Sequence, residues 1–467
     1  MKLFRNAVIL FAVLVITAGA FILMNIFDKD TVENTVEPDD MSDMYVSVFE
    51  TDRDDIVGLT IEAGEVKYVI EKKNEQYEVT YPVGMNFDST LVFNTMENVA
   101  NLTAEKTFEV SEADLSKYGF DKKVPYVEVK TKEGKTKVLE IGDPVPSQRL
   151  AYTKMKGTNK IYVIGGDIAS SFRSISKLYY KQRNIYTPKK EDLYQIKLER
   201  SGKDEFTLEK QSGDIWNITS PITGNIKDTK LQTILTYCSN VAATYFVEEN
   251  CTDLSKYGFD KPSYTIEVKS KTGNMKLLLG KEKTVAQEIY AKLENSGDVF
   301  VLGLGSLDFL DIGMDDLLDS FICAPDIKDV TGITVNMDGQ TTNCVLQLDS
   351  EGNKDKDKFT VNGKDASGKD ENGEFYFRAY YSSLIGLVFT DLDLAAKPEG
   401  KPEITIEYRL NKSPGTHKVE LIPKDANSYY AKLDGVYTGK IVFKRDLDDA
   451  DGIRETYKKL MEYVNNK

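Results

Sequence analysis

The chain has few of the side chains that carry soft-metal or nucleophilic chemistry. Its 467 residues include one His, one Trp and four Cys. Cys238, Cys251, Cys323 and Cys344 form no C-x-x-C pair, which removes the usual zinc and dithiol spacings. There is no G-x-S-x-G, no H-E-x-x-H and no Walker-type glycine-rich loop. If the chain works beside an ATPase, that ATPase is another polypeptide. His417 follows the turn Asn411-Lys412-Ser413-Pro414-Gly415-Thr416 without a second His nearby, and reads as an exposed loop residue. No basic stripe is present and the net charge is -15, which argues against nucleic acid, since phosphate backbones are held by clustered Lys and Arg. No residue is assigned a catalytic, cofactor-binding or metal-binding role.

What the chain does have begins with a long apolar run. Lys2 and Arg5 precede Ala7 to Phe27, a stretch long enough to cross a bilayer at about 1.5 Å per residue. Ala18-Gly19-Ala20 has the form of a signal-peptidase site. The run continues past it through Phe21-Ile22-Leu23-Met24-Asn25-Ile26-Phe27, which favours a retained anchor over a cleaved leader. The acidic residues after Phe27 and the basic ones before Ala7 orient the N-terminus to the cytoplasm and the body outside. No Cys follows the run at short distance, so a lipoprotein anchor is not supported. Residues 28–54 read as a solvated acidic linker.

The body is organised around an internal repeat. Asp114-Leu115-Ser116-Lys117-Tyr118-Gly119-Phe120-Asp121-Lys122 returns letter for letter as Asp253-Leu254-Ser255-Lys256-Tyr257-Gly258-Phe259-Asp260-Lys261. Downstream, Tyr126-Val127-Glu128-Val129-Lys130 answers Thr265-Ile266-Glu267-Val268-Lys269, Gly142 answers Gly280, and Tyr152-Thr153-Lys154-Met155 answers Tyr290-Ala291-Lys292-Leu293. A third, eroded copy keeps Lys401-Pro402 and Tyr430-Ala431-Lys432-Leu433 without the central motif. A period of about 140 residues makes these units whole domains and not solenoid repeats. The division is 1–6 cytoplasmic, 7–27 anchor, 28–54 linker, 55–187 first repeat, 188–325 second and 326–467 third.

Each repeat opens with alternating apolar and polar stretches separated by turn residues. Gly58 to Ala63 and Val66 to Glu71 flank Gly64-Glu65, and Tyr77 to Tyr81 precedes Pro82. Tyr194 to Glu199, Glu205 to Lys210 and Ile215 to Ile218 answer them in the second repeat, as do Gly332 to Asn336, Cys344 to Leu348 and Lys358 to Val361 in the third. A helix follows: Asp228 is a candidate N-cap, with Leu231, Ile234, Leu235, Cys238, Val241 and Ala242 on one face. Val92, Met96 and Val99 form the stripe of the first repeat, and Phe377, Tyr381, Leu384, Ile385 and Val388 that of the third. Four more strands follow the motif, in the second repeat Tyr264 to Lys269, Met275 to Leu279, Ile289 to Leu293 and Val299 to Leu302. Closing helices are expected at Asp167 to Tyr180, Ser306 to Asp319 and Asp448 to Val464. The fold class is therefore α+β, with antiparallel sheets and helices in each unit.

Tyr118, Gly119, Phe120 and Asp121, with Tyr257, Gly258, Phe259 and Asp260, are read as structural. The glycines offer positive φ, the aspartates can bond the amides that follow, and the aromatics can staple the turn to a sheet. The competing reading has the tyrosines or aspartates meeting a partner or glycan. Val99 and Glu112 stand where the second repeat has Cys238 and Cys251, so the fold does not require a bridge between those two cysteines. The acidic stretch Asp349 to Glu374, with Asp355, Asp357, Asp365, Asp370 and Glu371, departs from the calcium-loop pattern and reads as a solvated insertion. Trp216 needs no ligand to explain it.

The apolar N-terminal segment, the tandem Tyr-Gly-Phe-Asp-Lys turns, the Leu139 to Gly142 and Leu277 to Gly280 closes and the Tyr-Ala-Lys-Leu strand together resemble the bacterial DUF4340 family. The resemblance covers most of residues 55 to 445. It implies a membrane-anchored extracytoplasmic accessory of an ABC-type transport system of the gliding-motility kind, with permease or ATPase subunits as partners and no catalytic residues to carry over. A second expectation is an envelope protein that grips glycan or peptidoglycan through repeated aromatics, and a third is an extracytoplasmic hydrolase. Tyr118 and Tyr257 turned into the core favour the first reading, and a lined groove favours the second.

Overall fold

A computed structural model describes residues 45–202, 205–412 and 415–466. The cytoplasmic segment 1–6, the anchor 7–27 and residues 28–44 of the linker lie outside the described residues. Among the described residues no helix is long and apolar enough to cross a membrane. The fold is mixed: short helices accompany four sheets whose strands pair antiparallel. The described residues divide into two compact units, one comprising 45–84 with Thr90–Ile175, the other Met85–Ser89 with the described residues from Ser176 onward.

The first unit is built on a nine-stranded sheet. Its opening hairpin, Ile56–Ala63 with Val66–Lys73, turns at Gly64, whose φ of 63° a side chain would resist. Gln76–Tyr81 follows beside Val66–Lys73, and Ile56–Ala63 pairs on its other side with Tyr126–Thr131. From there the meander Thr136–Pro144, Leu150–Met155 and Lys160–Gly165 runs outward to Thr103–Glu109 and finally Val46–Ser47. Period-two alternation buries Leu59, Ile61, Val127, Val129, Leu139 and Ile141. Helix Ser89–Ala100 buries Val92, Thr95, Met96 and Val99.

The second unit holds two nine-stranded sheets and a two-stranded one. Eight strands follow the same order as in the first unit: three opening strands, four of the meander, then the strand that precedes the meander in sequence. In one sheet these run Trp216–Ser220, Phe206–Lys210, Leu193–Arg200, Tyr264–Ser270, Gly273–Lys283, Glu288–Leu293, Val299–Gly303 and Tyr245–Glu248. In the other they run Lys358–Val361, Gln340–Gln347, Val330–Met337, Ile404–Leu410, Thr416–Pro423, Ser428–Leu433, Val436–Phe443 and Asp391–Leu392. Each has its own core, centred on Leu198, Phe206, Ile234 and Leu277 in one and on Phe359, Phe377, Tyr408 and Leu460 in the other.

Several expectations need correction. Residues 45–54 are not linker: Val46–Ser47 is an edge strand, and Val48 and Phe49 are buried. Asp228 is the first helical residue and not the cap; Lys227 caps the helix, and its amide is held by the Leu317 carbonyl at 2.9 Å. The helical stripe stops at Cys238, because Val241–Ala242 pairs as a strand with Asn184–Tyr186 and satisfies its backbone there. In the third stripe Val388 lies past the helix Tyr376–Ile385, bridged to Phe321. The strands Thr103–Glu109 and Tyr245–Glu248, ahead of each motif, were not foreseen. Asp167 to Tyr180 shortens to Gly166–Arg173. Ser306 to Asp319 breaks into turns around the helix Met314–Leu317, where Arg200 takes the Ile312 carbonyl at 2.7 Å that a continuous helix would use. Asp448 to Val464 divides into Lys444–Asp448 and Ile453–Asn466.

Candidate functional site

The repeated motif forms one compact turn in each unit. Glu112–Tyr118 is a 3-10 turn and Leu254–Tyr257 a single helical turn, each ended by a left-handed glycine, Gly119 at φ 85° and Gly258 at φ 84°. Their amides close on Ser116 and Ser255 carbonyls, both at 3.2 Å. In the second copy the capping carboxylate is the first aspartate of the motif, not the last; in the first copy that aspartate lies within the turn, whose N-cap Ser111 makes no side-chain cap. Asp253 accepts from the Ser255 and Lys256 amides at 3.1 and 3.2 Å, and Asp114 accepts from the Ser111 hydroxyl at 2.6 Å and pairs with Lys117. Asp121 and Asp260 are exposed and no hydrogen bond joins their side chains to the amides that follow, which corrects the role foreseen for them.

Both turns dock onto a meander strand at a glycine. A Cβ on Gly142 would lie 2.3 Å from the Tyr118 carbonyl oxygen and 2.6 Å from the Phe120 ring; on Gly280 it would lie 2.1 Å from the Tyr257 carbonyl oxygen. Above this contact the aromatics cluster. Tyr118 meets Tyr152 at 4.9 Å and Phe108 at 5.6 Å, and Tyr257 meets Tyr290 at 4.8 Å and Phe259 at 6.1 Å between centroids. Tyr257 is only 5% exposed and its hydroxyl donates to Glu248 at 2.8 Å; Tyr118 is half-buried. Lys256, then the Tyr257 hydroxyl, holds Glu248 below the usual carboxylate range.

The lysine of the Tyr-Ala-Lys-Leu strand shows how one position adapts. Buried Lys154 pairs with Glu140 at 2.6 Å and lies over the Phe120 ring. Leu278 replaces that carboxylate in the second copy, so buried Lys292 donates instead to the Leu293 and Glu294 carbonyls at 2.8 and 3.3 Å. Burial pulls its pKa down.

The reactive side chains are placed as follows. All four cysteines are free thiols, so Cys238 and Cys251 are not joined. Burial pushes Cys323 and Cys344 up to about 12 and Cys238 higher still, which keeps them protonated and unreactive. His417 lies in the strand Thr416–Pro423, half-buried, with Nδ1 2.8 Å from Asp434, and so is not the exposed loop residue expected. Among the described residues no group of His, Cys, Asp and Glu is placed to hold a metal ion. The acidic stretch is not a free insertion: it contains the strand Lys358–Val361, and buried Asp357 pairs with Arg378 while accepting the Asp349 amide at 2.8 Å.

One concavity was not foreseen from the sequence. A cleft of about 540 Å³ opens between helix Tyr376–Ile385 and the first turn of helix Ile453–Asn466. Gly452 lets the chain turn tightly into the second of these helices, since a Cβ on it would lie 2.5 Å from the Leu447 carbonyl oxygen. Ser383 and Thr456 hydroxyls meet at 2.7 Å in its lining, Leu387 and Ile453 contribute apolar surface, and Asp446, Asp449 and Asp451 are its ionisable members. The only signal in the sequence was the Asp448-Asp449-Ala450-Asp451-Gly452 run, which interrupts the expected closing helix.

A family model described as a domain of unknown function, DUF4340, matches residues 78–249 and 216–375. No curated protein and no solved structure matches the chain.

Proposed function

Because the chain belongs to the DUF4340 family, we propose that it is a non-enzymatic, membrane-anchored extracytoplasmic protein of three tandem repeats, serving as an accessory to an ABC-type transport system. The strand order common to the three large sheets supports the reading of three repeats. The observation that carries the scaffold role is the use of the repeated motif. In both copies its glycine, tyrosine and phenylalanine lock a turn onto a strand; Tyr257 and Phe259 are buried, and Tyr118 and Phe120 are half-buried. Side chains used in this way hold a fold and offer no stacking platform to a sugar. What remains for a partner is the loops, the sheet edges and the cleft of the third sheet. Residues 7–27 keep the body at the membrane, beside a permease.

The test is purification of the full-length chain in mild detergent, with bound proteins identified, beside a chain lacking residues 1–27. Permease or ATPase subunits recovered with the full-length chain support the accessory role. Recovery of none, together with sedimentation of the truncated chain on purified cell wall, replaces it with glycan binding.

A further inference from the structure

We propose that the cleft beside helix Ile453–Asn466 is the docking site for a basic segment of a partner protein, with a Lys or Arg set among the carboxylates and an adjacent apolar side chain against Val388. This rests on the reading that the chain works by binding a partner. Its volume, about 540 Å³, is that of a site taking a few side chains. The ionisable residues lining it are all aspartates. Asp446 accepts from the Thr390 hydroxyl at 2.8 Å and lies 3.4 Å from Arg445, whereas exposed Asp449 and Asp451 form no ion pair among the described residues, although Lys459 donates to the Ala450 carbonyl between them at 3.4 Å.

Apart from Arg445 and Lys459, the cations of the same stretch are engaged elsewhere. Arg454 pairs with Asp338 and Asp448, each at 2.9 Å, Lys444 lies over the Tyr429 ring, and Lys458 is 4.0 Å from Glu455. The carboxylates do not gather closely enough to hold a metal ion. A cation on a long stem suits this spread, because an ammonium or guanidinium reaches separate carboxylates while its methylenes cover apolar wall. The apolar half of the site is also open: Val388 is 38% exposed and bridges to Phe321, 43% exposed. The cleft belongs to the copy that lost the repeated motif and whose closing helix, at 14 residues, is the longest of the three.

The full chain is titrated with a fluorescein-labelled peptide of alternating Leu and Lys. Neutralising the lip in the triple variant Asp446→Asn, Asp449→Asn, Asp451→Asn weakens binding about tenfold, and added salt weakens binding to the unmodified chain. Filling the cleft with Ser382→Trp weakens it as much without altering charge. A control triple variant at exposed sites elsewhere, Glu65→Gln, Glu112→Gln, Glu371→Gln, leaves binding within about twofold. Equal losses in the control and lip variants, or no loss with Ser382→Trp, overturn the inference. If transporter subunits co-purify equally with the unmodified chain and the lip variant, the cleft assignment fails while the accessory reading stands. If the peptide binds in the cleft and no transporter subunit co-purifies, the accessory reading fails alone.

Discussion

At the scale of single residues, the fold depends on places where a side chain has no room and on one where a charge has no water. Gly142 and Gly280 are of the first kind. An alanine at either forces the motif carbonyl away from the strand, because contacts of 2.3 and 2.1 Å are far inside van der Waals distance. Each substitution is expected to cost about 2 kcal/mol or more in urea unfolding. Gly303→Ala, at a glycine with nothing near its added Cβ, is the near-neutral comparison. Lys440 is of the second kind. It is buried, and its ammonium donates to the Asp319 and Phe321 carbonyls at 2.7 and 2.5 Å. Burial pulls its pKa from 10.5 down to about 8, with Asp319 and Cys323 opposing the shift and Lys227 adding to it. Between those values the unfolded chain holds a proton that the native chain has released, so stability gains with rising pH; below about 8 both states are protonated and the unfavourable contribution is constant. Unfolding curves at pH 7 and pH 10 should therefore show the unmodified chain gaining on Lys440→Met. A constant difference between the two would place the ammonium in water.

At the scale of elements, the strands were legible and the connections less so. Ile56–Ala63 with Val66–Lys73 could be read from alternation and a Gly turn, and the stripes of Val92, Met96 and Val99 or Phe377, Tyr381 and Leu384 from helical spacing. These signals are local. What escaped depends on partners distant in sequence. Thr103–Glu109 alternates poorly and is a strand because Lys160–Gly165 pairs with it. Val241–Ala242 leaves the helix because Asn184–Tyr186 is beside it. The motif turn was legible because an exact repeat exposes a shared constraint, while the cleft was not, since it arises where two helices distant in sequence meet. The lead-in strand yields a test at this scale. Val48 and Phe49 are buried and Val46–Ser47 pairs with Thr103 and Ala104. A chain beginning at residue 51 should lose about 3 kcal/mol or more of first-unit stability against one beginning at residue 45, measured by unfolding. Equal stability of the two would mean the lead-in strand contributes nothing.

At the scale of the whole molecule, the acidic balance, net charge -15, keeps the body from anionic surfaces, and the proposed anchor supplies the membrane attachment that charge does not. A chain whose repeated aromatics, cysteines and lysines are taken up in packing has its recognition chemistry in what the packing leaves open. The most direct measurement is photo-crosslinking in intact cells, with a photoreactive residue replacing exposed Val388 at the cleft or exposed Val285 on a loop of the second sheet. The account predicts a crosslink from Val388 to a permease subunit of an ABC-type system, lost when Asp446, Asp449 and Asp451 are changed to Asn. Crosslinks from both positions to cell-wall components alone, with no transporter subunit captured, would contradict it.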